Sequence, residues 1–168
     1  RVMEKYKNKR NILLVDQGNG KGKADAVRKG FAKATGEILI VLDADLTVAP
    51  EELQKFYQLL RTNKSEFVSG SRLVYPLEKD AMRFLNKLGN KFFSAVFTWL
   101  LDQNIKDTLC GTKALFRSDY NLISANRSYF GEFDPFGDFD LLFGASKLNL
   151  KIMEIPIATF DFFGFKLR

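Results

Sequence analysis

Ile12-Leu13-Leu14-Val15 is a short aliphatic run that ends at Asp16-Gln17-Gly18-Asn19-Gly20. An apolar run broken by a Gly/Asn cluster predicts a buried strand followed by a loop. From Lys23 to Thr35 the spacing changes, because Ala24, Val27, Phe31 and Ala34 recur at helical intervals and Gly36 supplies a stop. Ile38 to Leu42 then forms a second continuous apolar strand, closing on Asp43-Ala44-Asp45. Strand, helix, strand in this order is the pattern of a parallel sheet with helical crossovers.

The alternation continues. Pro50-Glu51-Glu52 opens the next helix with an early proline and acids at the positive end of the helix dipole, and Leu53, Phe56, Tyr57 and Leu60 form its buried stripe. Phe67-Val68-Ser69-Gly70 follows as a short strand, Thr112 to Phe116 as another, Asp138 to Lys147 as a helix and Lys151 to Ile157 as a last strand containing Pro156. From Glu78 to Leu101 the pattern is helical, and Phe92, Phe93, Val96, Phe97, Trp99, Leu100 and Leu101 nearly surround its second half. Lys87 and Lys91 hold the uncharged stretch to about ten residues, well short of the roughly 20 that span a bilayer. This helix either lies along a membrane surface or packs into the protein.

At 168 residues the chain predicts one domain, read as 1–168. Its 17 Phe exceed what a core of this size needs, which assigns some of them to a membrane or a ligand. The net charge of +6 favours anionic partners. Nucleic acid is set aside as one of them, because no basic surface motif interleaved with aromatics accompanies the charge. A lone Cys110 and no His exclude a disulfide framework, a Cys/His zinc site and a histidine base, so a metal must sit on oxygen ligands. The start, Arg1-Val2-Met3-Glu4-Lys5, shows no apolar signal core. The expected location is therefore cytoplasmic, at the cytoplasmic face of a membrane.

Two carboxylates at i and i+2, Asp43 and Asp45, project to one side if the strand continues through them. A hard divalent cation, Mg²⁺ or Mn²⁺, takes such oxygens together with phosphate. In open α/β sheets ligands bind at the carboxyl ends of strands. The second element is Gly18-Asn19-Gly20-Lys21-Gly22-Lys23, leading into a helix. Small residues there let backbone N–H groups approach an anion while Lys21 and Lys23 add charge, although a plain flexible turn reads the same way. The spacing is not that of a Walker loop, which excludes a phosphate-loop ATPase.

These residues resemble the family-2 glycosyltransferases. Gly20-Lys21-Gly22 with Ala26 and Gly30, then Ala34-Thr35-Gly36-Glu37 before the strand ending in Asp43-Ala44-Asp45, is similar to the central stretch of that family. Gly70-Ser71-Arg72, Asp107-Thr108, Gly111-Thr112-Lys113 and Phe116-Arg117 resemble its polyprenyl-phosphate (dolichyl-phosphate) mannose/glucose synthase branch. The resemblance implies a Rossmann-like GT-A fold, α/β with a mostly parallel sheet and flanking helices. It implies a nucleotide diphosphate sugar as donor, held through Lys21, Gly22, Lys23, Asp43 and Asp45. Asp43 and Asp45 carry the metal, with Thr47 assisting. The acceptor is a polyprenyl phosphate met by Arg72 and Arg83, and guanidinium suits phosphate by bidentate hydrogen bonding. Lys113 and Arg117 are read as stabilising the sheet edge. Asp138 and Asp140 fall where many family members place an acid that deprotonates a sugar hydroxyl, and capping of the helix they begin is the alternative role.

The family's opening strands, which hold base and ribose, do not precede Ile12, so the chain is read as a partial catalytic domain with its first strands missing. Three readings of function stay in view: inverting hexosyl transfer to polyprenyl phosphate, transfer to a sugar hydroxyl of a glycan, and a catalytically incomplete fragment.

Overall fold

The computed structural model describes residues 11–20, 22–45, 48–71, 98, 107, 110–127 and 138–157, with backbone alone at 138 and 139. The chain forms α1 (Gly22–Lys33), β1 (Ile38–Val41), a 3-10 turn at Pro50–Glu52 running into α2 (Leu53–Arg61), β2 (Phe67–Ser71), β3 (Lys113–Phe116), α3 (Arg117–Ala125), α4 (Asp138–Lys147) and β4 (Ile152–Pro156). The anticipated helix over 78–101 lies outside the described residues except for Thr98, which is helical.

The four strands lie in the order β1-β3-β2-β4. β2 and β4 are parallel, whereas β3 runs antiparallel to both its neighbours. Thus β1, β2 and β4 share one direction and β3 alone is reversed, giving a mixed sheet with two antiparallel ladders and one parallel, consistent with a GT-A fold. β3 passes straight into α3 with no connecting loop, and Arg117 N–H, at that junction, donates to Glu37 O at the opposite end of the sheet from Asp43.

Alternation along the strands divides the core between the two faces. Leu39, Val41, Phe67 and Leu115 pack against Phe31 of α1, Tyr120 and Ile123 of α3, and Leu142 and Ala145 of α4. Val68, Ala114 and Ile157 pack on the other face against Phe56 and Leu60 of α2. Phe31 meets Tyr120 edge to face with ring centroids 4.9 Å apart, linking α1 to α3. Each fully buried side chain of the size of Phe56 or Leu142 contributes about 1.5–3 kcal/mol over exposure. Together they fix the helices to the sheet.

Two expectations are corrected. Residues 12–15 form no strand, and Ile12, Leu13 and Val15 are exposed. A strand needs a ladder partner, and among the described residues none runs beside this segment. Tyr57, expected in the buried stripe of α2, is exposed, and its ring lies near the Arg61 guanidinium on the outer face.

Candidate functional site

α1 precedes β1 and packs back along it, so the first turn of α1 lies at the carboxyl end of β1. There Lys23 reaches Asp43: Nζ is 2.9 Å from Oδ1 and 3.2 Å from Oδ2. Both side chains are about one-third exposed, at 29% and 35%, so the pair is open to an incoming ligand. The strand itself stops short of the acids. The last ladder pair is Val41 with Lys113, beyond which Asp43 is irregular and Ala44-Asp45 a turn. The period-two argument for Asp43 and Asp45 therefore does not apply, because the backbone is no longer pleated where they sit. Asp45 is exposed in the turn immediately following Asp43.

The glycine loop is an ordered turn. Gly18 adopts φ +58°, its N–H donates to Asp16 Oδ1 at 2.8 Å, and Gly20 N–H donates to Gln17 O at 3.1 Å. Gln17 Nε2 donates to Gly22 O at 2.7 Å, and Lys29 of α1 donates to Gln17 O. These bonds tie the loop to α1 and set Gly22 and Lys23 at the helix start. Lys21 lies outside the described residues.

A third segment closes on the same spot. A Cβ at Gly111 would meet Asp43 Oδ2 and Lys23 Nζ, so the turn lies directly against the ends of the acid and the lysine, which would have to shift to admit a larger residue. Next to it, Lys113 was expected to brace the sheet edge. It stands instead on β3, between β1 and β2, and is fully buried. Arg117, the other residue expected there, opens α3, and its Nη1 reaches Ala34 O at 3.5 Å.

Asp140 lies in the first turn of α4 with its side chain 14% exposed. Its Oδ2 is 3.0 Å from Arg127 Nε and 3.7 Å from Arg28 Nη1. Arg28 also bonds Asp25 at 3.2 Å. The carboxylate thus joins α1, the end of α3 and α4 beside a small pocket of about 30 Å³. Asp138 begins α4, which makes it a first-turn residue, favourable near the helix's positive end. Neither guanidinium partner was foreseen, since both lie outside the helix that carries Asp140 and no local pattern links them to it. Thr47, Arg72 and Arg83 lie outside the described residues, as does the side chain of Asp138. Ser71, which precedes Arg72, buries an Oγ that has no hydrogen-bond partner among the described residues, at the carboxyl end of β2.

Among the described residues no group of three His, Cys, Asp or Glu side chains could enclose a metal ion. No described helix is long and apolar enough to cross a membrane. What the site offers is a carboxylate, an ammonium and a helix start, all at one strand end, and the family profile described as Glycosyl transferase family 2 matches residues 1–122 of the chain.

The chain belongs to glycosyl transferase family 2.

Within this family it is similar to a protein of Trichomonas vaginalis named dolichyl-phosphate beta-glucosyltransferase, 26% identical across 99% of this chain and 52% of that protein. A UDP-N-acetylglucosamine–dolichyl-phosphate N-acetylglucosaminyltransferase of Methanococcus voltae is 26% identical over 88% of this chain and 59% of its own length. A dolichol-phosphate mannosyltransferase of Pyrococcus furiosus is 31% identical over 67% of this chain and 32% of its own. The chain spans about half the length of the first two relatives. Three sugars occur in these names, and dolichyl or dolichol phosphate occurs in all three.

Proposed function

We propose that the protein transfers a hexose from a nucleotide diphosphate sugar to a polyprenyl phosphate, with inversion and with a divalent cation, at the cytoplasmic face of a membrane. The observation that carries this reading is the meeting of Asp43, Lys23 and Gly111 at the carboxyl end of β1. The acceptor class rests on the names of the family-2 relatives.

The residues present suit Mg²⁺ or Mn²⁺. Mg²⁺ is usually bound by one or two carboxylates plus substrate phosphates, and Asp43 with the exposed Asp45 supplies that number, Thr47 being a third oxygen. Lys23 Nζ lies against both oxygens of Asp43, so a divalent cation bound there would share the carboxylate with the ammonium or displace it toward the donor phosphates. When bound, the metal would screen the departing diphosphate. The protein's own part is positional. Lys23 and the N–H groups at the start of α1 are assigned to the negative charge that grows on the leaving group. On the acceptor side, Arg72 and Arg83 are assigned to the lipid phosphate, and the Ser71 hydroxyl, with no hydrogen-bond partner among the described residues, stands next to Arg72 in the chain.

A phosphate oxygen is ionised near neutral pH and attacks without a base. A sugar hydroxyl needs one, and Asp140 is engaged by two guanidinium groups. That pairing favours the phosphate acceptor. The test is Asp140→Asn in the full-length gene product, assayed with a polyprenyl phosphate and each of several nucleotide diphosphate sugars. Loss of the ion pairs should lower stability by about 1–3 kcal/mol. Turnover per folded molecule should stay within tenfold, whereas losing a base would remove about 10²–10⁴. A folded, donor-binding but dead variant would favour the glycan-hydroxyl reading.

A further inference from the structure

Lys113 is a charged side chain in the middle of the sheet. It is 0% exposed, paired in register with Val41 on one side and Ser69 on the other, and so lies two residues before Asp43 on the neighbouring strand. Leu115, two along the same strand, meets the apolar core on the same face. Burying an ammonium costs several kcal/mol unless its protons are bonded. An apolar residue at 113 would avoid that cost, so packing alone does not account for the lysine.

A hydrogen bond ties it to the turn before Gly111. Lys113 Nζ donates to Cys110 O, the carbonyl just before Gly111. Gly70 N–H donates to Thr112 O at 3.0 Å on the other side of Gly111, anchoring this turn to β2. A side chain at Gly70 would collide with Cys110 Sγ, so the turn sits tightly on the sheet from below as well. Gly111 in turn abuts Asp43 Oδ2 and Lys23 Nζ. The order is therefore buried cation, pinned turn, glycine, and then the carboxylate read as the metal ligand.

We propose that Lys113 is a positioning residue for the metal-binding end of the site: through the Cys110-Gly111-Thr112 turn it holds Asp43 in the orientation that accepts a divalent cation. The inference rests on the metal reading of Asp43 given above. Outer partners of metal ligands typically change affinity by 10- to 100-fold when removed.

The experiment uses the full-length protein and Mn²⁺ alone, with free Mn²⁺ followed by electron paramagnetic resonance and folding followed by Tm. Lys113→Met keeps an unbranched side chain one atom shorter and removes the charge and the bond to Cys110 O. It should weaken Mn²⁺ binding roughly tenfold or more. Gly111→Ala leaves Lys113 in place and displaces the ends of the Asp43 and Lys23 side chains that abut the turn, and it should weaken binding in the same direction even if Lys113→Met fails to fold. Ile123→Val, a core change on α3 away from the site, should lower Tm without moving Mn²⁺ affinity, separating positioning from general loosening. If Asp43→Asn leaves Mn²⁺ binding intact, the metal reading falls and this inference with it. If Asp43→Asn abolishes binding but both Lys113→Met and Gly111→Ala bind as tightly as the parent, this inference alone is overturned.

Discussion

Tyr120 shows how packing alone can set the chemistry of one side chain. It is buried against Phe31 beneath α1. Burial pushes its phenol above the usual value, and only in part do a hydrogen bond from Ser124 and the nearby Arg28 and Arg127 oppose this. The folded state then holds the proton more tightly than the unfolded chain, so stability falls as pH rises from about 10 through the folded pKa. An absorbance titration of the five tyrosines should show one ionising later than the rest, and Tyr120→Phe should remove that late step. The variant should also lose less stability than the parent over the same alkaline window. A titration unchanged by the substitution would place the late tyrosine elsewhere. Asp119, on the same helix, is raised by burial and by Glu66.

Among the elements, α3 and α4 meet at Gly144, where any side chain would run into Ile123. Gly144→Ala should gain up to about 1 kcal/mol of helix propensity. Overpacking at such a contact costs about 1–3 kcal/mol, so the net expectation is a loss. Adding Ile123→Val should recover part of it in a double-mutant cycle measured by denaturant unfolding, whereas additive effects would show that the two residues do not touch. The apolar periodicity of the chain was enough to place α1, α2, β1, β2, α4 and β4 nearly as found. It did not reveal α3, because Arg117–Ala125 carries only Tyr120 and Ile123 as buried residues and starts directly from a strand. Nor could it separate residues 12–15 from a real strand, since β-formers without a ladder partner look the same in sequence. The helix ends were legible in principle: Asn63 and Asn149 have φ of 53° and 54°, where asparagine is tolerated, and close the turns after α2 and α4.

At the scale of the whole molecule, helices on both faces of a mixed sheet bring the ends of β1 and β2 and the turn before β3 to one side. Asp43 and Lys23 were both legible from sequence, because a strand-end acid and a lysine at a helix start are each local patterns. Their contact with Gly111 was not, since it joins residues far apart in the chain. The same holds for Asp140, whose two guanidinium partners lie outside its own helix. The central claim is that this strand end holds a divalent cation for sugar transfer to a lipid phosphate. It is tested most directly by measuring, on the full-length gene product, polyprenyl-phosphate hexose formed from a nucleotide diphosphate sugar with and without chelator. The account predicts product that EDTA abolishes, that Mg²⁺ or Mn²⁺ restores, and that Asp43→Asn cannot form at any metal concentration. Product formed at full rate in EDTA, or by the Asp43→Asn variant, would contradict it.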